Sequence, residues 1–140
     1  MALIYTLLVA HFVADFLCQS DWMALNKGKR WDALTLHVGA YTLALAPFAA
    51  WAYTYSSPTD ATLPFGLWLI VNAVAHFVQD AITSRINSRL WFLPLVGQGM
   101  RPEWIQVEVK STRHWFFVGI GADQLLHYIT LFATAEWLLT

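Results

Sequence analysis

Four apolar stretches, at about 2–22, 33–55, 63–86 and 115–138, set the terms for this chain, because each is near the roughly 20 residues that cross a hydrocarbon core. Together they take up most of the 140 residues, so one domain is expected over 1–140, with no separate soluble unit. Composition points the same way: 12% of residues are charged, against about 25% in a typical soluble domain. The expected fold is therefore all-α, an integral membrane bundle of four helices. The N-terminal run lacks a basic leader segment and carries His11 and Asp15, so it is expected to remain in the mature protein. Cys18 is the only cysteine, which excludes a disulfide within the chain.

The connections fix an expected orientation. Lys27, Lys29 and Arg30 fall in a first loop at about 23–32, and Arg85, Arg89, Arg101, Lys110 and Arg113 fall in or beside a longer one at about 87–114. These are all eight basic residues, and all lie on one side. The positive-inside rule makes that side cytoplasmic, in a multi-pass protein of the bacterial inner membrane with both termini outside. The turn Ser56-Ser57-Pro58-Thr59-Asp60 carries no positive charge and faces the other way. Within the long connection, the apolar run Leu90–Val96 reads either as a segment resting on the inner leaflet or as a loop packed over the bundle mouth. Trp22, Trp31, Trp51, Trp104, Trp115 and Trp137 flank the spans as an aromatic belt. The basic residues form no extended stripe, so nucleic acid is not an expected partner. Membrane lipid is.

An internal repeat is visible. Val9-Ala10-His11-Phe12-Val13-Ala14-Asp15 returns as Val74-Ala75-His76-Phe77-Val78-Gln79-Asp80 with one difference, and Leu36-His37 with Tyr41 is echoed by Leu126-His127-Tyr128. The chain reads as two helical hairpins of common origin in parallel orientation, with any site expected at their interface.

Ionisable residues inside a span cost about 2.5–3.5 kcal/mol each on insertion scales and are functional candidates by default. Seven occur: His11, Asp15, His37, His76, Asp80, Asp123 and His127. His11 with Asp15, His76 with Asp80, and Asp123 with His127 are spaced i, i+4, which stacks each pair on one helix face. Counted from the cytoplasmic ends, the Asp residues lie about 12 Å deep and the paired His residues about 18 Å deep at 1.5 Å per residue. So many carboxylates and imidazoles in an apolar bundle cannot all stay charged and unpaired. One or two divalent transition metal ions, Zn, Mn, Fe or Ni, would solve the problem, with all seven residues as candidate ligands and Asp15, Asp80 and Asp123 as candidate catalytic groups. A metal with an open position would supply a hydroxide nucleophile. The same pattern also fits a hydrogen-bond network that only fixes helix packing, or a proton relay. Gln19, Tyr41 and Gln124 are placed to hold ligands by hydrogen bonds or to bond between helices. His114 and Glu136 read as exposed.

His11-x-x-x-Asp15-Phe16-x-x-Gln19-Ser20-Asp21-Trp22-Met23-Ala24-x-Asn26-Lys27, His37 with Tyr41, His76-x-x-x-Asp80 and Asp123-Gln124-x-x-His127 resemble the pattern of a family of small bacterial and phage membrane proteins, domain of unknown function 3307. The resemblance runs over nearly the whole chain. It implies the membrane fold and the polar cluster, without a particular reaction. More loosely, the arrangement is similar to membrane-bound metal-dependent hydrolases. The leading expectation is a membrane-embedded, metal-dependent hydrolase acting on a lipid-linked or amphiphilic substrate. The alternatives are a divalent-metal or proton transporter or sensor, which with so few helices would need a homo-oligomer, and a non-catalytic membrane protein whose polar cluster fixes packing.

Overall fold

The computed structural model describes residues 2–56, 62–96 and 103–139, with side chains at 3–51, 53–54, 65–90 and 113–139. The chain runs as α1 (Ala2–Phe12), a π-helical turn (Val13–Leu17), α2 (Asp21–Asn26), α3 (Trp31–Ser56), α4 (Thr62–Val96) and α5 (Glu103–Leu139). The fold is all-α, with no strand among the described residues. Three helical stretches, Trp31–Trp51, Phe65–Leu90 and Arg113–Leu139, are long and apolar enough to cross a membrane.

The first apolar helix, Leu3–Leu17, is shorter than the others. The continuous helix expected over 2–22 is broken because the Cys18 amide bonds to the Val13 carbonyl at 3.0 Å, five residues back, which widens the last turn. The chain leaves the helix there and restarts at Asp21, where the Ser20 hydroxyl accepts from the Met23 amide at 3.3 Å and caps α2. Further along the chain, much of the connection expected at about 87–114 is helical, since α4 continues to Val96 and α5 begins at Glu103. The Leu90–Val96 run thus has helical backbone; the setting of its side chains beyond Leu90, the turn expected at Ser56–Asp60 from position 57 on, and the charged side chains of 101–110 lie outside the described residues.

Burial recurs every three to four residues, as a helix with one packed face requires. In α3 the buried positions are Ala33, Leu34, His37, Val38, Tyr41, Leu45, Ala49 and Tyr53, while α4 buries Trp68, Asn72, His76 and Asp80. In α5 they are Asp123, His127, Leu131, Ala135 and Leu139. Two zones result along the same faces. An apolar core joins Leu7, Ala10, Tyr41, Leu45, Trp68 and Leu131 with their neighbours, and the His and Asp side chains lie beyond it, toward the ends that carry the basic residues. The outward faces are apolar instead, with Val9, Ile70, Val74, Val78, Leu125 and Ile129 all exposed. Polar inside and apolar outside is the arrangement a lipid solvent favours.

α4 and α5 pair most extensively, α3 packs against both α1 and α4, and α1 reaches α5. The turn between α2 and α3 is pressed onto α4 at Gly28. A Cβ there would overlap the Ser88 hydroxyl and the Ser84 carbonyl oxygen, so glycine is required for the close approach. Nearby, the Arg85 guanidinium lies 3.9 Å above the Trp31 ring and its Nη1 donates to the Ala81 carbonyl, adding a cation–π contact between α4 and the start of α3.

Gly28→Ala is expected to lower stability by about 1–3 kcal/mol, the usual range for forcing atoms into a packed contact. Gly39→Ala, at a helix position where a Cβ meets nothing within 4 Å, is expected to leave stability unchanged or raise it by about 0.5–1 kcal/mol. Thermal unfolding of the two variants in detergent checks the contrast.

Candidate metal centre

Seven ionisable side chains expected within the spans are all buried: His11, Asp15, His37, His76, Asp80, Asp123 and His127. They come from five segments, with His11 on α1. The π-helical turn carries Asp15, and α3 brings His37 one turn before Tyr41. His76 and Asp80 stack along α4, and Asp123 and His127 along α5.

At the centre lies His37. Its Nε2 is 3.0 Å from Asp15 Oδ1, 3.1 Å from Asp80 Oδ2 and 3.2 Å from His76 Nε2. His76 Nε2 is in turn 3.5 Å from Asp15 Oδ1 and 3.7 Å from Asp80 Oδ2. Asp15, His37, His76 and Asp80 therefore offer four ligand atoms within 4.8 Å of one another. Ligands held about 2.1 Å from one tetrahedral ion stand ~3.4 Å apart, so the spacing fits a coordination shell. The single His37 Nε2 faces all three of these neighbours at once. Asp15 Oδ1, both oxygens of Asp80 and the Nδ1 atoms of His37 and His76 have no aligned hydrogen bond.

A second group, Asp80, Asp123 and His127, adjoins the first. His127 Nδ1 donates to the Asp123 carbonyl oxygen at 2.9 Å, and its Nε2 lies 3.8 Å from Asp80 Oδ1. Asp80 thus turns one oxygen to each group. Asp123 is held by the Thr83 hydroxyl, which donates to its Oδ1 at 2.5 Å, and by Gln124 Nε2 at 3.3 Å.

His11 belongs to neither group. A directed chain of hydrogen bonds uses both of its nitrogens. Gln124 Oε1 can only accept, so His11 Nε2 donates to it at 3.2 Å, and Tyr41 must then donate to His11 Nδ1 at 3.1 Å. Gln124 Nε2 donates to Asp15 Oδ2 at 2.7 Å. The chain Tyr41→His11→Gln124→Asp15 fixes the Asp15 carboxylate by one oxygen and leaves the other aimed at His37 and His76. Tyr41 also stacks on His76, with ring centroids 3.9 Å apart. Gln19 lines the cavity beside Asp15, and its Oε1 has no hydrogen-bond partner. His114 is exposed, next to Trp115, and Glu136 is exposed at the far end of α5. In the centre Asp15 stands beside His37 and Asp80 beside His127.

Two contributors went unread in the sequence. Lys27, counted only as a topology-setting charge, places its Nζ 2.9 Å from Asp80 Oδ2 and 3.1 Å from His37 Nε2. Its place at the end of the Gln19–Lys27 run that carries the family resemblance was the available signal. Thr83, which bonds Asp123, stands three residues after Asp80, on nearly the same face of α4.

A cavity of about 430 Å³ opens beside the centre. Asp15, Lys27, Asp123 and Gln124 line its polar end, and Phe116 and Ile120 are among the residues of its apolar wall.

A family model described as "Protein of unknown function (DUF3307)" matches residues 3–140. The description assigns no activity and does not bear on the looser hydrolase resemblance. No curated protein and no solved structure matches the chain.

Gln124→Leu is expected to destabilise the protein by about 2–4 kcal/mol, since it removes the hydrogen bonds of two buried groups, Asp15 Oδ2 and His11 Nε2, which at 3.9 Å from each other make only a long contact in exchange. Tyr41→Phe removes a single hydrogen bond while keeping the stacked ring, a loss of about 1 kcal/mol. The double variant should fall short of the sum, because the two residues act on one chain. Unfolding of all three variants in one detergent measures the coupling.

Proposed function

The chain belongs to the DUF3307 family, and for a member with this buried His/Asp centre we propose a membrane-embedded, metal-dependent hydrolase acting on a lipid-linked or amphiphilic substrate. The observation that carries the reading is the convergence of Asp15, His37, His76 and Asp80 on one point, with ligand atoms spaced as a coordination shell needs. Four donors of mixed oxygen and nitrogen type suit Zn, Mn, Fe or Ni. Asp80, with one oxygen toward His127, joins this position to a second one, so one or two ions are accommodated.

Asp15, His37, His76 and Asp80 would hold the metal, which when bound would supply Lewis-acid activation of water near neutral pH. The protein's own groups do the rest. With one ion in the first group, Asp123, which lines the cavity and stands outside that group, would be placed to accept a proton from a water there and to return it to the leaving group. Gln124 and Tyr41, acting through His11, keep the Asp15 carboxylate in place throughout. The substrate's reactive head lies at the polar end of the cavity. Its tail runs along Phe116, Phe117 and Ile120, and Phe117 is exposed on the outer face, 65% accessible.

In this reading the protein is a four-span bundle of the inner membrane with both termini outside, the first span being α1 with its π-helical turn. α2, whose Trp22 and Leu25 are exposed, lies at the cytoplasmic interface. That places the centre in the inner-leaflet half of the membrane, where an amphiphile reaches the cavity sideways from lipid.

Elemental analysis of detergent-purified protein is expected to find one or two equivalents of a transition metal. Asp80→Asn and His76→Ala should lose most of it, and His114→Ala, on the exposed face, should retain it. Metal content followed by hydrolysis of phosphate and carboxylate ester lipids is the test. Absence of metal after reconstitution with divalent ions would leave the cluster as a packing network, and metal without hydrolysis, together with ion flux in proteoliposomes, would favour transport.

A further inference from the structure

Lys27 stands where a metal ion would. Its Nζ lies 2.9 Å from Asp80 Oδ2, 3.1 Å from His37 Nε2 and 3.9 Å from Asp15 Oδ1. These atoms belong to three of the four residues of the first ligand group. The ammonium meets Asp15 and Asp80 with one positive charge against two carboxylates, and a divalent ion would balance both. The two cations cannot share the position, because an ion bound to His37 Nε2 and Asp80 Oδ2 takes up the lone pairs that Lys27 now faces and repels it at close range in a medium of low dielectric constant.

The side chain has somewhere to go. Lys27 also lines the cavity, together with Ser84, Asn87 and Ser88, and it is not sealed in, being 15% exposed. Its backbone does not move to get there. Gly28 is packed against Ser84 and Ser88 of α4, and the Lys27 amide bonds to the Met23 carbonyl at 2.8 Å, so the exchange involves only the flexible four-carbon stem.

We infer that Lys27 is a tethered resident cation of the metal-free centre, which a divalent ion displaces from Asp80 and His37 into the adjoining cavity. Metal-free protein then keeps its buried carboxylates partly balanced and its ligands gathered. Metal-loaded protein presents an ammonium in the cavity, where the head of an anionic amphiphile would meet it. The inference rests on the metal-binding reading of the cluster and specifies what the metal must compete with.

The test is metal affinity in detergent, by calorimetry with Zn²⁺ and Mn²⁺, for the parent and Lys27→Met. Removing the competitor is expected to tighten binding by about tenfold, within the usual range of coupling between linked events. Equal or weaker binding by the variant would overturn the inference and leave the metal reading intact. Absence of binding by both proteins would overturn the two together. A second measurement needs no substitution and so does not depend on the variant folding. Acetylation of Lys27 in the parent by an amine-reactive ester, quantified by peptide mass spectrometry against Lys29, should rise severalfold when Zn²⁺ is bound. Unchanged or lower labelling of Lys27 would likewise overturn the exchange.

Discussion

A carboxylate with no solvent exposure, Asp80, is the constraint around which the rest of the molecule is arranged. An uncompensated charge in an apolar bundle costs several kcal/mol, and compensation has to be drawn from other segments. Lys27 comes from the turn after α2, His37 from α3 and His127 from α5, all converging on the two oxygens of this side chain. The close approach at Gly28 and the pairing of α4 with α5 are the backbone side of the same requirement. Without these approaches the compensating groups would stand too far from Asp80 to balance it.

The centre is held at two levels. Residues in contact with the convergence point supply charge and lone pairs, while Tyr41, His11, Gln124 and Thr83 hold the carboxylates without pointing at it. Because hydrogen-bond direction is forced along the chain from Tyr41 to Asp15, the orientation of Asp15 depends on three helical segments at once. The adjacent apolar core, from Leu7 through Leu45 and Trp68 to Leu131, keeps those segments in register. On the proposed reading, this division lets a reactive site sit inside lipid. The outer faces are solvated by acyl chains, the inner faces carry the chemistry, and the cavity lined by Phe116 and Ile120 joins them.

The repeated heptapeptides show how nearly identical sequence is put to different use. Val74–Asp80 lies within continuous α-helix, whereas Val9–Asp15 runs from α1 into the π-helical turn. The two histidines consequently differ in role. His76 presents Nε2 to the ligand group, and His11 has both nitrogens engaged by Tyr41 and Gln124. Six matches in seven residues gave no warning of this, because the difference comes from the neighbouring helices and from the widened turn.

The amino-acid sequence by itself determined the all-α character, the long apolar helices and the identity of the seven buried ionisable residues, though not the buried Asn72. Each is a local or periodic property: apolar run length sets a span, and i, i+4 spacing sets a face. The three-residue charge cluster near Lys27 could be read for topology alone, since charge counting says nothing about where a lysine stem turns. The tertiary structure decided which of the seven groups converge, that His11 stands aside, that Lys27 enters the centre and that Asp80 serves both ligand groups. It also decided the break after Leu17. These are distances between atoms on different helices, fixed by packing at Gly28, by the π-helical turn and by the need to balance buried charge, and no period within a single helix encodes them.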